Sequence, residues 1–553
     1  MTKKAIIIGS GFGGISTGIR LQAMGFETTI LEKLDVPGGR AYQKTVKIDG
    51  IEGAFKFDMG PTVMTAPHFI EELLAIQKGD KFLEDYSKES LEQWEKIKHG
   101  DKVNFADLDN PKVSNTFRNT KVTAKYIQMV PITPFYRLFF NDGTFFDYNG
   151  NYEDTIEQIR KLTNDEEAEG FKKFHKAAGK VFERGFLQLG YKYFGDMLSM
   201  FKVVPDFIRL DVLRSLISYS KKYFKDNKTR SIFSFESLLV GGNPSSVPAI
   251  YVLIHFVEKT WGVHYAMGGT GKLIQALLAK FEESGGKILL NTPVDKILTE
   301  NRKAVGVKLE NGKVLKSDIV VSNADYAHTY TKLLKDETRY WNSDLKVKHL
   351  TNYSMSLVVV YFAFKKDSDP QKDHKLQHHN IVFGANYYEA ELRKIFDTGE
   401  LEPNYSQYLH IPTVTDPSMA PDGYHTGYTL ICVPNKAKGR HDWSKAGPEY
   451  MEKVLKLIEE KGFIPNLKER LVHSSFISPD YFENTLNAHI GAAFGVSPLF
   501  RQSAFFRPHN RSEDIKNLYL AGSNTIPGAG VPAVMMSAKI TAREIAKDFD
   551  IEV

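Results

Sequence analysis

The chain begins with an alternation of apolar runs and a glycine turn that predicts a β-α-β unit. Residues 5–8 read Ala-Ile-Ile-Ile, and the turn Gly-Ser-Gly-Phe-Gly-Gly follows at residues 9–14. A helix-like pattern runs to Met24, and a second apolar run at residues 28–31 ends on Glu32. Short β-branched runs on either side of an amphipathic stretch predict two parallel strands joined by a helix.

The glycine turn and Glu32 have the spacing of a dinucleotide-binding loop. Gly9 allows the tight turn, Gly11 lets a pyrophosphate approach the backbone, and Gly14 lets the helix pack against the strand. The free N–H groups at a helix start favour anions, so the phosphates are expected there. Glu32, 23 positions after Gly9, is placed to accept hydrogen bonds from the adenosine ribose. The complete unit favours this interpretation over an ordinary glycine turn.

Two later stretches carry related patterns, which predicts a discontinuous domain. The stretch 266–324 contains a helix, a strand and a hairpin around Asn311-Gly312, where a type I′ turn is expected. The stretch 517–547 contains a strand, a glycine-rich segment and a final helix. The predicted division is a nucleotide-binding domain from residues 1–75, 265–330 and 500–553, a charged insertion at 76–125, and a substrate-binding and lid domain from 126–264 and 331–499.

The residues after Glu32 indicate which dinucleotide is bound. Gly38, Gly39 and Arg40 resemble the Gly-Gly-Arg segment of the glutathione-reductase-like FAD superfamily, which includes amine oxidases and carotenoid desaturases. The two glycines allow close backbone approach. Arg40 offers a planar fork of donors for a phosphate or a flavin carbonyl, although a surface ion pair is the alternative. FAD is therefore favoured over NAD.

Composition agrees with a large soluble enzyme of moderate charge. The 553 residues suffice for two or more domains, and the net charge of 72 − 67 = +5 does not indicate nucleic acid, though it suits an anionic membrane. Cys432, the sole cysteine, excludes an intrachain disulfide and lies in an apolar run typical of a buried strand, so covalent flavin attachment is not expected. We expect a cytoplasmic protein, since neither a secretory signal nor an apolar run of about 18 residues is present.

Long strings spread over nearly the whole chain resemble the bacterial phytoene desaturase family, FAD-dependent enzymes that convert C40 phytoene to lycopene. The strings are residues 38–42, 131–138, 233–244, 261–263, 268–271, 506–511 and 520–542. Two departures stand out. Ile526 occupies a position where the family usually has histidine, and the charged residues between about 79 and 125 do not align, which favours a solvated surface elaboration there.

The resemblance implies a Rossmann-like FAD-binding domain of the glutathione reductase type, a discontinuous α+β substrate domain and a helical membrane-facing lid. It implies non-covalent FAD, an apolar polyene substrate, and a quinone or oxygen as electron acceptor. The cofactor-binding residues expected from the motifs and the resemblance are Gly9, Gly11, Phe12, Gly13, Gly14, Glu32, Lys33, Gly39, Arg40, Gly60, Pro61, Thr62, Val294, Asn323, Gly522, Ser523, Gly530, Val531 and Pro532.

Several functions remain open within this resemblance. The alternatives to phytoene desaturation are a later-acting carotene desaturase, a C30 diapophytoene desaturase, a flavin-dependent carotenoid isomerase and a non-catalytic carotenoid-binding flavoprotein. The number of desaturation steps and the terminal electron acceptor are likewise open.

The expected chemistry needs few protein groups, because the cofactor carries the difficult step. We expect neither a nucleophile nor a metal site. The acid–base candidates are Glu236 and Asp196, followed by Arg137 and His255. For each of them a cap, an ion pair or a satisfied core position is the alternative.

Residues 183–224 combine aromatic and aliphatic side chains with lysines and arginines. Such a segment is suited to lie in a bilayer interface, from which a C40 hydrocarbon must be drawn. A core-facing lid over the substrate is the alternative, and both descriptions are compatible.

Overall fold

The computed structural model describes residues 2–79, 121–190, 192–337, 343–367, 376–384, 388–401 and 406–552. Most of the predicted charged insertion, 76–125, lies outside the described residues. The fold class is confirmed as mixed α/β with a Rossmann-like sheet.

A five-stranded parallel sheet forms the nucleotide-binding half. In spatial order its strands are Lys287–Leu289, Glu27–Leu31, Lys4–Ile8, Ile319–Ser322 and Leu518–Leu520. The central strand Lys4–Ile8 is buried at all but its first position, as expected for a parallel sheet covered on both faces. The helix Phe12–Ala23 packs against two others, Thr270–Glu283 and Val531–Asp548. The strands come from the three stretches that the sequence assigns to this half, whereas the exact domain boundaries stay a prediction.

A small antiparallel sheet follows the helix Thr270–Glu283, with strands Val294–Glu300, Lys303–Leu309 and Val314–Lys316. The predicted hairpin is present, but its turn is not of type I′. A type I′ turn needs positive φ at both central residues, and of Asn311 and Gly312 only the glycine has it, at +87°.

A seven-stranded mixed sheet forms the other half. Its order is Leu471–Ile477, Ser356–Lys365, Tyr424–Val433, Gln407–His410, His379–Val382, Tyr136–Phe139 and Phe145–Tyr148. Only His379–Val382 and Tyr136–Phe139 pair in parallel. The strand Ser356–Lys365 is buried at nine of its ten positions, so this sheet is covered on both faces.

Two small sheets and the remaining helices complete the fold. The small sheets pair Gln43–Val46 with Phe55–Asp58, and Val263–Ala266 with Met64–Thr65 and Met129–Ile132. The remaining α-helices are His68–Ala75, Lys121–Tyr126, Tyr152–Leu162, Asp165–Phe182, Met197–Phe201, Val204–Arg209, Leu216–Ser220, Asn227–Ile232, Leu253–Trp261, Tyr326–His328, Ser343–Leu345, Tyr388–Arg393, Trp443–Glu460, Leu467–Arg470 and Pro479–Asn484. None of the helices in the described ranges has the length and apolarity to cross a bilayer.

Candidate active site

A cavity of about 1040 Å³ lies between the two large sheets. Its wall contains the glycine turn of residues 9–13 and also many apolar side chains of the second half. Every predicted cofactor-binding residue except Gly14 lies on this wall. A polar nucleotide and an apolar molecule can therefore meet in the same cavity.

Gly14 has a packing role instead. A β-carbon at this position would stand 2.1 Å from the carbonyl oxygen of Gly9, so only glycine allows the helix to begin so close to the strand. Gly9 itself has φ +94°, a conformation that other residues adopt only with strain. The two glycines thus set the shape of the turn from which the helix Phe12–Ala23 starts.

Glu32 connects the ends of the first two strands. Its carboxylate accepts hydrogen bonds from the Ser10 N–H at 2.9 Å, the Ser10 hydroxyl at 2.6 Å and the Leu34 N–H at 3.0 Å. The Ser10 hydroxyl oxygen in turn accepts one from the Gly38 N–H at 3.1 Å. Glu32 is therefore held in place on the cavity wall without help from a ligand.

Arg40 directly follows the glycine pair Gly38-Gly39. It lies on the cavity wall, and its buried Nε has no hydrogen-bond partner in the described part of the chain. Asp325, also on the wall, faces this charge: burial raises the pKa of Asp325, and Arg40 acts against that rise. An unpaired donor of a guanidinium is costly when buried, so an anionic or carbonyl-bearing ligand fits this position.

A second helix start faces the same cavity. The helix Val531–Asp548 follows Gly530, whose φ is +99°, and its first residues line the cavity. Two helix N-termini, at Phe12 and Val531, thus direct free N–H groups and positive dipole ends to this wall. This arrangement fits the diphosphate of a dinucleotide.

Arg507 shapes the segment before that helix. Its buried guanidinium donates to the carbonyl oxygens of Ser523 at 2.7 Å, Thr525 at 2.9 Å and Val496 at 3.1 Å. Arg507 belongs to the string 506–511, and the sequence alone predicts no role for it. Its position shows that it fixes the backbone of the cavity wall, a role that no local pattern reveals.

The apolar wall comes partly from alternate positions of two neighbouring strands. Leu357, Val359 and Tyr361 line it from one strand, and Tyr428, Leu430 and Cys432 from the next, because side chains two residues apart share a face. Burial raises the pKa of the Cys432 thiol to about 12, so it stays protonated and a poor nucleophile.

The lid segment supplies further apolar wall. The residues of 183–224 that line the cavity are Gly185, Phe186, Leu189, Gly190, Lys192, Phe194, Met200, Phe207 and Val212. The segment also exposes large apolar side chains, namely Met197, Leu198, Phe201 and Ile208 in its short helices and Leu213 in a turn. One segment thus has an apolar side that faces the cavity and an exposed apolar side, and its contact with a bilayer stays a prediction.

Two buried glutamates lie at the apolar end. Glu236 is 3% exposed and Glu258 is fully buried, and their carboxyl groups interact with each other. Glu258 lines the cavity, whereas Glu236 lies behind it. Tyr136 donates to Glu258 at 2.6 Å, and Tyr148 interacts with Glu236.

Burial controls the protonation of this pair. It raises the pKa of Glu236 to about 7, and it raises the pKa of Glu258 well above the ordinary value, helped by the charge of Glu236. Burial also lowers the pKa of the adjacent Lys259 to about 7. The pair can therefore hold or release a proton near neutral pH. Glu236 is among the acid–base candidates predicted from the sequence, whereas Glu258 is not.

The other acid–base candidates do not line the cavity. Asp196 is exposed and caps the helix Met197–Phe201 by accepting from the Ser199 N–H at 2.7 Å. Arg137 makes a two-pronged ion pair with Asp147, at 2.7 and 2.8 Å. His255 is buried, with Tyr148 at its Nδ1 and His175 at its Nε2. For these three candidates the structure supports the structural alternative.

Comparison with known proteins agrees with this site. Residues 12–546 match the flavin-containing amine oxidoreductases, and the chain belongs to this family. Its cofactor is FAD, and it is an FAD-dependent oxidoreductase acting on CH–CH groups.

Individual proteins similar to this chain include two phytoene desaturases and one solved oxidoreductase structure. The chain is 38% identical to a lycopene-forming phytoene desaturase from a Paracoccus species, over 99% of this chain and 98% of that protein. It is 36% identical to a neurosporene-forming phytoene desaturase from Rhodobacter capsulatus, over 98% and 94%. An oxidoreductase structure from Methanosarcina mazei, 16% identical, shares the fold with a TM-score of 0.58 over 98% of this chain and 100% of that one.

Replacing Arg40 tests the cofactor site. We expect Arg40→Gln to weaken FAD binding by about 10- to 100-fold, because it removes charge-assisted hydrogen bonds. Arg137→Gln is the matched control and should keep its flavin, since its ion pair lies away from the cavity. The measurement is the FAD-to-protein ratio after dialysis.

Denaturation of the wild-type protein should release intact FAD; flavin left on the polypeptide would contradict non-covalent binding.

Proposed function

We propose that this protein desaturates phytoene to lycopene in carotenoid biosynthesis, drawing its substrate from a membrane surface. The observation that carries the proposal is the shared cavity, in which the nucleotide-binding turns and a largely apolar wall face the same space. The identity to a lycopene-forming desaturase over nearly the full length of both chains supports the substrate class.

The protein's part in the reaction is binding and orientation. FAD, when bound, supplies the acceptor for the hydride removed from the substrate. The apolar side chains of the lid and of the two central strands hold the hydrocarbon, at about 0.8 kcal/mol per buried CH₂. Because the same side chains keep water from the reacting carbons, an electron-poor carbon is protected from hydration.

We propose that the glutamate pair takes the proton that leaves the adjacent carbon. Glu258 faces the cavity and can accept the proton on a carboxylate oxygen. The Tyr136 hydroxyl positions this carboxylate by donating a hydrogen bond, and the charge of Glu236 favours its protonation. The raised pKa of both groups makes either a better proton acceptor than an exposed carboxylate.

Product analysis tests the function as a whole. FAD-loaded protein is incubated with phytoene in liposomes, with a quinone or oxygen present, and the carotenoids are separated and identified by absorption. We expect lycopene. Accumulation of neurosporene would mean that the protein performs one desaturation fewer. If a C30 substrate offered in a parallel assay is converted and phytoene is not, the diapophytoene alternative is favoured. Isomerisation without electron transfer would favour an isomerase. A folded, FAD-loaded protein that changes none of these substrates would contradict desaturation.

Glu236→Gln tests the carboxyl pair. We expect turnover to fall by about 10²-fold or less, at the lower end of general acid–base effects, with FAD still bound. Glu258→Gln should cost more, because its carboxyl lines the cavity. Asp196, an exposed residue that caps the helix Met197–Phe201, provides the control. Asp196→Asn should change turnover little. Unchanged turnover in both glutamate variants would give the pair a purely structural role.

The same variant has a pH-dependent effect on stability. Burial raises the pKa of Glu236 from 4.5 to about 7. The protonated carboxyl therefore makes its full contribution to folding stability below pH 4.5, and this contribution is lost as the pH rises through about 7. Glutamine cannot ionise. We therefore expect Glu236→Gln to raise Tm relative to wild type at pH 8 but not at pH 4.5. An equal Tm difference at both pH values would contradict the raised pKa.

The exposed apolar side of the lid is the proposed membrane contact. Leu198, Phe201 and Ile208 are 61–64% exposed. Many of the basic residues predicted to assist are already paired; Arg214 and Lys222, for example, both contact Asp211. Apolar insertion should therefore contribute more than charge attraction to the docking.

Replacing Leu198, Phe201 and Ile208 by serine should weaken sedimentation with anionic liposomes and leave FAD content intact. Phe207 is left unchanged, because it is buried and lines the cavity. Serine replacements of Leu289, Val314 and Leu350, exposed apolar residues outside the lid, form the control. If both triple variants sediment like the wild type, the docking surface lies elsewhere.

A further inference from the structure

The seven-stranded sheet brings three histidines together on its inner strands. His379 and His410 lie directly opposite each other on paired strands, and His378 precedes the first of them. Their exposed fractions are 2% for His378 and zero for the other two. The ring nitrogens that could bind a metal ion all lie within 4.8 Å of one another.

One nitrogen of each ring is already engaged. Nδ1 of His378 contacts the Thr415 hydroxyl at 2.8 Å, and Nδ1 of His379 contacts the Tyr408 hydroxyl at 2.6 Å. Nδ1 of His410 donates to the carbonyl oxygen of His378 at 3.2 Å. The three Nε2 atoms are buried and have no hydrogen-bond partner in the described part of the chain.

Three unpartnered nitrogens in one buried place are costly. A buried polar atom without a hydrogen-bond partner loses its hydration without compensation. Because Nδ1 of His410 faces a carbonyl oxygen, it carries the hydrogen, and Nε2 keeps its lone pair. All three rings are buried, and a neutral imidazole is the form that binds a metal ion.

We propose that His378, His379 and His410 bind one divalent transition-metal ion through their Nε2 atoms, with Zn²⁺ as the best fit. Metal-binding histidines characteristically donate their other ring N–H to an oxygen acceptor, and all three rings have an oxygen at Nδ1. Three imidazoles leave the fourth tetrahedral position to a water molecule. Nitrogen donors favour zinc or copper over calcium and magnesium, which prefer oxygen.

The electrostatic surroundings suit a cation. Asp416 is 1% exposed, and its negative charge acts on His378. Both of its oxygens are held by backbone donors, from Gly268 at 2.6 Å and Ser418 at 3.0 Å. The carboxylate is therefore fixed near the cluster, where it offsets part of the charge of a bound ion.

The proposed ion would be connected to the cavity through a row of hydrogen-bonded hydroxyl groups. The Tyr408 hydroxyl forms hydrogen bonds with His379 and with the Thr62 hydroxyl, the latter at 2.9 Å. The Thr62 hydroxyl also forms a hydrogen bond with Tyr428 at 2.6 Å. Thr62 and both tyrosines line the cavity. A metal ion would cross-link the two histidine-bearing strands and hold this row of hydroxyl groups, which is a positioning role separate from the desaturation itself.

Metal analysis of the wild-type protein is the first test. Protein prepared without a histidine tag is stripped with a chelator, dialysed and titrated with Zn²⁺ alone. We expect one ion per chain, a rise in Tm on loading, and, with Co²⁺ in place of Zn²⁺, the visible absorption of a four-coordinate site. Absence of both the stoichiometric binding and the cobalt spectrum in folded, FAD-loaded protein would overturn the proposal and leave buried water as the partner of the three nitrogens.

Variants locate the site. His410→Gln and His379→Gln should each lower Zn²⁺ affinity by about 100-fold or more, since they remove a direct ligand. His441→Gln is the matched control, because His441 bonds through Nε2 to the Gly399 carbonyl oxygen at 3.1 Å, away from the cluster. Equal affinity in all four proteins would move the ion to another site and overturn the assignment. If a ligand variant fails to fold, the wild-type cobalt spectrum decides alone.

Discussion

The contact of the glycine turn with Asn323 and Gly522 fixes the relation of three distant stretches of the chain. A β-carbon on Gly13 would stand 2.6 Å from the Asn323 side chain and 3.0 Å from the Cα of Gly522. The ends of three neighbouring parallel strands therefore meet so closely that the turn has no space for a side chain at residue 13. Since ligands of open parallel sheets bind at the carboxyl ends of the strands, this close approach determines where the cofactor lies, and the rest of the cavity is built outward from it.

The cavity combines a polar end and an apolar end. At the glycine turns, free N–H groups and Arg40 favour a charged diphosphate, while the strands of the second sheet present Leu357, Val359 and Leu430 to a hydrocarbon. The glutamate pair lies at the apolar end, where burial keeps its pKa high. Such a pair is costly to bury as two charges, so it persists as a group that holds a proton near neutrality.

The sequence predicts the first half better than the second, for a physical reason. The turns around Gly9 and Gly530 have local signatures, because backbone conformation and phosphate approach demand glycine at fixed spacing. The seven-stranded sheet has none, because its strands pair by tertiary packing and two of them, Tyr136–Phe139 and Phe145–Tyr148, lie far along the chain from the other five. Glu258 and the three histidines become visible only when those strands and helices are assembled. The turn at Asn311 differs for the opposite reason, because one dipeptide suits more than one hairpin loop.

If the exposed side of the lid contacts a membrane as proposed, its short helices connect that membrane to the cavity. In the helix Val204–Arg209, Phe207 faces the cavity while the adjacent Ile208 is 63% exposed; in the helix Met197–Phe201, Met200 faces inward and Phe201 outward. Neighbouring residues on a helix point about 100° apart, so one short helix contributes to both surfaces. A hydrocarbon leaving the bilayer at this segment needs to cross only the thickness of a helix to reach the cavity, and it exchanges one apolar surface for another on the way. The free-energy cost of exposing it to water is thereby avoided.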